Sequence, residues 1–297
     1  MNIDEIRKLK VGKLIENIDL KKYTTYKVGG TAKLLVIPDN IDCLINLLEY
    51  ISKNNIKHKI LGFGSNLIFS DGEYDGILIK LDEFNDININ GTSITVGAGY
   101  SMIKLSLAAA RQGLAGLEFA SGIPGTVGGA VYMNAGAYGS DMGYIVKSIK
   151  VLTPDNKIVV MENKELNYHY RTSFLKQNPD YICLEATLKL RNGDRDAILE
   201  VIRDRKKRRL DTQPLEFPSA GSVFRNPTDD AAWRLVEGIG YKGKKVGDAM
   251  VSTKHANFII NTGHASGEDI KKLISEIQKK VKSKYDIDLK VEQEFVE

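Results

Sequence analysis

Two glycine-rich segments, one arginine, one serine and one glutamate are the features of this 297-residue chain whose types and spacing could do chemistry. The longer segment, Ser121 to Gly139, reads SGIPGTVGGAVYMNAGAYG and places Gly122, Gly125, Gly128, Gly129, Gly136 and Gly139 in one run. Glycine costs roughly 0.5–1 kcal/mol more than alanine inside regular structure, so the cluster predicts backbone at positive φ or lying directly against something large. A phosphorylated cofactor is the expected partner. The shorter segment, Leu61 to Ser70, reads LGFGSNLIFS and follows a predicted strand. Successive N–H groups in such a turn can form a concave anion site, and Ser65 and Asn66 would add side-chain donors. Neither segment continues into GK[ST], and neither gives GxGxxG at a strand-to-helix turn, so a nucleotide here must be held in some other way.

The remaining candidates lie in three short strings: Tyr168, Tyr170, Arg171 and Ser173 in YHYRTS, Ser222 and Asn226 in SAGSVFRNP, and Glu294 in VEQEF. Arginine suits a carboxylate or a developing enolate, because its planar fork donates two charge-assisted hydrogen bonds. Ser222 sits outside any GxSxG elbow and no histidine is suggested as its base, so a hydrolase triad fits poorly and the hydroxyl is read as an acid. Each residue also has a plainer reading: Arg171 in a surface ion pair, Ser222 as a turn former, Glu294 in a solvated tail.

The elements that must position these groups follow from periodicity and turn signals. After an N-terminal helix or coil, strands are predicted at Lys33 to Ile37, Lys59 to Leu61 and Gly76 to Lys80, with a helix at Ile41 to Ser52 behind Asp39 and Asn40. A second domain opens with Ile87 to Val96, whose Asn90-Gly91 pair signals a hairpin, then a helix over Ser101 to Arg111 and the long glycine run. Strands at Ile145 to Leu152, Lys157 to Met161 and Tyr181 to Leu190 complete it. From Asp194 a charged helix ends near Arg209 and leads through a Pro-containing loop into a third domain. There Ile270, Leu273, Ile274, Ile277 and Val281 share one helix face, and a strand is predicted at Asp288 to Val296. The expected domains are therefore 1-81, 82-193 and 194-297.

Composition narrows the class. A hydrophobic content of 42% and a formal charge of +4 suit a globular protein and do not by themselves indicate nucleic-acid binding. The basic run from Arg203 to Arg209 lacks interleaved aromatics; it reads as a solvated helix face or as an attractor for an anionic small substrate. Nothing approaches the roughly 18 apolar residues of a membrane span, and MNIDEIRKLK lacks an apolar core after its charges, so a cytoplasmic location is expected. Cys43 and Cys183 read as reduced, buried thiols, and the four histidines show no metal-ligand spacing.

Taken together, TTYKVGGTA (24–32), LGFGSNL, GLEFASGIPGTVGGAVYMNAGAYG, YHYRTSF, QPLEFPSAGSVFRNP, KHANFIINTGHAS and VEQEF resemble the UDP-N-acetylenolpyruvoylglucosamine reductase (MurB) family. The likeness runs from Thr24 to Glu294, and the short interval between Arg171 and Ser222 is similar to the family's type II form. Trp233 is not diagnostic, and Phe63 stands where the family commonly has glycine or a small polar residue.

The resemblance implies an α+β fold with two α/β FAD-binding subdomains of the PCMH-type flavin fold and a third, α+β substrate-binding domain. It implies non-covalent FAD and NADPH as co-substrate. NADPH would reduce the flavin and leave, and UDP-N-acetylglucosamine enolpyruvate would enter the same site. Hydride would pass to its terminal enol-ether carbon and a proton to the adjacent carbon, giving UDP-N-acetylmuramate for peptidoglycan. By the same likeness Arg171 stabilises the enolate, Glu294 assists it and Ser222 donates the proton. The cofactor would be held by Gly62, Gly64, Ser65, Asn66, Leu67, Ser121, Gly122, Pro124, Gly125, Thr126, Gly128, Gly129, Ala130, Asn134 and Gly136. The substrate would be held by Tyr170, Arg209, Asn226 and Lys242, in a monomer with no metal, nucleic-acid or membrane partner. An oxidase of the same flavin fold and a catalytically silent nucleotide-binding protein remain as alternatives.

Overall fold

The computed structural model describes residues 1–297, which group into two compact units. The first comprises Met1–Ile15, Leu34–Gly62 and Gly76–Lys207; the second comprises Glu16–Lys33, Phe63–Asp75 and Arg208–Glu297. Most of the first expected domain and all of the second thus share the first unit, whose buried residues run from Ile6 to Leu190 in one apolar core.

Local signals account for much of the first unit. Helix Ile41–Lys53 starts where Asn40 Oδ1 accepts from the Cys43 N–H at 3.0 Å, and it buries Leu44, Leu47 and Ile51 on one face. Helix Met102–Arg111 is capped in the same way by Ser101 and buries Met102, Leu105, Ala109 and Ala110. One sheet has the order Gly12–Asp19, Thr31–Pro38, Glu73–Ile79, His58–Ile60, and its last pair is parallel, with His58 opposite Ile77. The polar stretch GKLIENID does not predict the first of these strands; a partner strand, rather than an apolar alternation, makes it one. The second sheet is antiparallel throughout, in the order Ile158–Glu162, Val146–Leu152, Ile182–Lys189, Ser93–Gly97, Ile87–Asn90. Gly91, at φ 55°, makes the expected hairpin turn. Cys183 is buried in the third of these strands, and burial pushes its thiol up to about 12, so it stays an inert thiol; Cys43 is only half-buried.

In the second unit the predicted apolar stripe holds: helix Gly267–Tyr285 buries Ile270, Leu273, Ile274, Ile277 and Val281. Ser266 and Asp269 form a reciprocal capping box at its start. The face covers an antiparallel sheet of Lys245–Val246, Ala249–Val251 and Ile259–Asn261, and helix Ala232–Gly238 completes the core.

Two expectations need correction. The strand predicted at Asp288 to Val296 is formed only over Glu294–Val296, which pairs in parallel with Leu67–Phe69. The preceding residues bond instead to a loop: Arg225 N–H donates to Lys290 O at 2.9 Å and Glu292 N–H to Val223 O at 2.8 Å. The long glycine run, in turn, contains a helix, Val127–Met133, and of its six glycines only Gly139 takes positive φ, at 75°. Gly128 is required instead by close approach, since a Cβ there would lie 3.0 Å from Ala98 Cβ.

Candidate active site

The first unit positions Gly62, the segment from Ser121 to Gly136, Tyr170 and Arg171. Ser121 and Gly122 end a 3-10 turn, Glu118–Gly122, and the chain passes through Pro124 to Thr126, the N-cap of helix Val127–Met133. The first N–H groups of that helix are already satisfied. Val127 donates to Tyr100 O at 2.9 Å, Gly128 to Ala98 O at 2.8 Å and Gly129 to Thr126 Oγ1 at 3.3 Å. An anion is therefore better served by the turn before the helix, where the Gly125 and Thr126 N–H groups donate to nothing in the chain. A Cβ on Gly129 would meet only Thr126 Oγ1, at 3.4 Å, so space is open beside this backbone. Ala130 faces the core.

Arg171 is carried on a tight turn. His169 and Thr172 exchange backbone hydrogen bonds of 3.0 Å in both directions, leaving Tyr170 and Arg171 at the tip. Arg171 takes φ 56°, a left-handed conformation uncommon for a residue with a side chain. Its Nη2 donates to Gly136 O at 2.7 Å, and its guanidinium lies 5.0 Å from the centre of the Tyr170 ring. A cleft of about 500 Å³ adjoins the turn, bounded by Asn134, Asp141, Gly143, Tyr144, Tyr168 and Tyr170. The Tyr168 hydroxyl is buried without a hydrogen-bond partner, and burial raises its pKa, as do Cys183 and Asp141.

The second unit holds Gly64, Ser65, Asn66, Leu67, Arg209, Ser222, Asn226, Lys242 and Glu294. Gly64 sits at φ 62° with its carbonyl accepting from Thr25 N–H at 3.3 Å, and a Cβ there would be 2.1 Å from Tyr23 O. The N–H groups of Phe63, Gly64 and Ser65 donate to nothing in the chain, the arrangement an anion-binding turn requires. This turn meets the C-terminal strand: Glu294 N–H donates to Asn66 O at 2.9 Å, and Asn66 Nδ2 donates to Glu292 O at 3.2 Å. Glu294 Oε1 is buried beside it.

The Ser222 loop is fastened by residues that sequence reasoning does not single out. Gln293 Nε2 donates to Ala220 O at 3.0 Å, while its Oε1 accepts from the buried Tyr26 hydroxyl at 3.1 Å. Asn257 accepts from Val223 N–H through its carbonyl and from Phe224 N–H through Oδ1, both at 2.9 Å, and donates to Phe224 O at 2.8 Å. Gln293 adjoins Glu294, so one residue pair ties the Ser222 loop to the glutamate strand. The signal is present in VEQEF, TTYKVGG and KHANF, but only contacts between them give it meaning. Asn226 Oδ1 accepts at 3.0 Å from the N–H of Ala232, the first residue of helix Ala232–Gly238. Lys242 pairs with Glu237 at 2.9 Å on the surface, and Arg209 lies in the last turn of helix Arg195–Thr212.

His255 links this scaffold to pH. Its Nδ1 accepts from Asn257 N–H at 3.2 Å, so the ring is neutral in the fold. Burial lowers its pKa below the ordinary 6.5, and the Lys242 charge acts in the same sense. A histidine held neutral binds fewer protons folded than unfolded, so its contribution is complete above about pH 6.5 and is lost as pH falls below that value. The melting temperature is expected to drop between pH 7 and pH 5.5, and less steeply in His255→Gln. Half-buried His58, lowered chiefly by desolvation, leaves some of the slope in place. Equal slopes in both proteins would show that His255 titrates unperturbed.

An FAD binding domain model matches residues 32–162, which makes this mixed α+β fold that of an FAD-binding flavoprotein. The model for the UDP-N-acetylenolpyruvoylglucosamine reductase C-terminal domain matches residues 213–296. The chain is 45% identical over 295 residues to the UDP-N-acetylenolpyruvoylglucosamine reductase of Bacillus licheniformis, covering 99% of this chain and 97% of that one. It is 42% identical to the Bacillus subtilis enzyme of the same name over the same shares. The crystal structure of the Thermus caldophilus reductase (MurB) superposes with a TM-score of 0.83 at 35% identity, covering 96% of this chain and 99% of that one. The chain belongs to the UDP-N-acetylenolpyruvoylglucosamine reductase family.

Proposed function

We infer that the protein reduces UDP-N-acetylglucosamine enolpyruvate to UDP-N-acetylmuramate for peptidoglycan precursor synthesis, using bound FAD and NADPH. The observation that carries this reading is the family likeness over 99% of the chain. The turns at Phe63 to Ser65 and Gly125 to Thr126 fit the cofactor, because both present backbone N–H groups that the fold leaves unused. By the family likeness Gly62, Asn66, Leu67, Ser121, Gly122, Pro124, Gly128, Gly129, Ala130 and Gly136 complete the cofactor site. When bound, FAD supplies the two-electron chemistry that moves hydride from NADPH to the enol ether.

The protein's own groups handle charge and proton. Addition of hydride to the terminal carbon leaves negative charge delocalised onto the neighbouring carboxylate, and Arg171 answers it with a fixed, always-charged fork. The Gly136 carbonyl aims that fork, since it holds one guanidinium nitrogen at 2.7 Å. Ser222 gives its hydroxyl proton to the carbon next to the carboxylate; a hydroxyl is a feeble acid, but an enolate is a strong base. Glu294 assists at the same charge, held by the backbone bond to Asn66. Tyr170, Arg209, Asn226 and Lys242 bind the substrate, the two cations answering its diphosphate. In this reading the enzyme acts as a cytoplasmic monomer; no helix is long and apolar enough to cross a membrane.

The test is anaerobic. Purified protein should show an oxidised-flavin spectrum that NADPH bleaches, and the enolpyruvyl sugar nucleotide should restore it. A colourless protein that cannot be reconstituted with FAD, or a reduced protein that the sugar nucleotide leaves bleached while oxygen rapidly reoxidises it, would refute the assignment.

A further inference from the structure

We propose that Asn134 is a positioning residue for Arg171 rather than a cofactor ligand. The inference rests on the reading of Arg171 as the enolate-stabilising group. Asn134 ends helix Val127–Met133 in the left-handed conformation, at φ 43° and ψ 56°, and is 2% exposed. Glycine is the usual residue at such a cap because it lacks a Cβ. The fold therefore accepts some backbone strain here to keep a carboxamide, and both ends of that carboxamide are used. Nδ2 donates to His169 O at 2.9 Å, and Oδ1 accepts from Gly143 N–H at 2.9 Å.

His169 is the first residue of the turn that carries Arg171. The turn and the residue after it are bonded to the glycine-rich helix and the segment that follows: Ser173 Oγ donates to Tyr132 O at 2.7 Å, Asn134 Nδ2 to His169 O, and Arg171 Nη2 to Gly136 O at 2.7 Å. The Arg171 bond is donated from the tip of the turn and the Ser173 bond from the residue just after it. Asn134 reaches from the glycine segment and grips the backbone at the turn's entry. With its donor and acceptor both engaged, its side chain has no remaining N–H for a cofactor except the second hydrogen of Nδ2. Its chemistry thus lies in fixing where a strained, left-handed arginine points.

The experiment compares Asn134→Gly with Asn134→Asp in the FAD-loaded enzyme. Glycine keeps the left-handed cap and removes both bonds; aspartate keeps the acceptor for Gly143 and loses the donor to His169. In both variants FAD affinity and NADPH reduction of the flavin should stay within about twofold of wild type. Reoxidation by the enolpyruvyl sugar nucleotide should slow about 10- to 100-fold, the scale at which a displacement near 1 Å acts. Amide hydrogen exchange at His169 and Thr172 should rise in both. Wild-type exchange at these amides, wild-type reoxidation in Asn134→Asp, or FAD affinity lost in step with rate would overturn the proposal. Should Asn134→Gly not fold, Asn134→Asp decides alone. If the wild-type protein is not reoxidised at all, the functional reading fails and the exchange measurement still judges Asn134.

Discussion

Ser222→Ala is expected to leave NADPH reduction of the flavin nearly intact and to slow its reoxidation by the enolpyruvyl sugar nucleotide by roughly 100- to 10,000-fold, the usual span for a lost proton donor. The asymmetry follows from when the group is needed. Reduction by NADPH creates no enolate, so the hydroxyl has no proton to give in that step. Folding should survive, because the loop is fastened by Gln293 and Asn257 on either side of position 222 and none of those bonds uses the Ser222 side chain. Rapid mixing of each half-reaction, with thermal melting as a control, separates the outcomes. Equal losses in both half-reactions would remove the proton-donor role.

Arg171→Ala should act on the same half-reaction, by about 100- to 1,000-fold, the scale for removing one preorganised donor from a developing oxyanion. Arg171→Lys should recover only a fraction of this, since a lysine keeps the charge and loses the planar fork. The backbone at φ 56° is strained for arginine, alanine and lysine alike, so the comparison is not confounded by the turn. Loss of the Gly136 contact is shared by both variants only if lysine cannot span to that carbonyl; the measured ratio between them reports this. A normal second half-reaction in Arg171→Ala would place the enolate partner elsewhere. The effects at Arg171 and Ser222 should not add, because both act on one transition state.

Much of the scaffold is legible in the sequence because its causes are local. Asn40 and Ser101 announce their helices by capping, and the five apolar residues from Ile270 to Val281 recur at the helical period, so the buried face can be read directly. Asn90-Gly91 announces a hairpin because its turn needs φ > 0. The helix Val127–Met133 is hidden because Gly128 and Gly129 oppose helix by propensity, and its stability comes from bonds to Ala98 and Tyr100 and close contact with Ala98. The break of the last strand at Glu294 is equally hidden. Residues up to Glu292 bond to a loop around Val223, a partner that no alternation pattern within 288–296 can reveal.

By itself the sequence determined the residue types available for chemistry, the helices with caps and periodic faces, and through its motifs the family. Tertiary structure decided which groups the motif residues meet: that Asn134 bonds to His169 O at the entry of the turn carrying Arg171, that Gln293 bonds both to the Ser222 loop and to Tyr26, and that the helix after Thr126 has its first N–H groups already engaged. The physical reason is sequence distance. A cap or a helical stripe is settled within a few residues, whereas Tyr26 and Gln293 are joined by a hydrogen bond spanning 267 positions, which exists only once the chain has folded.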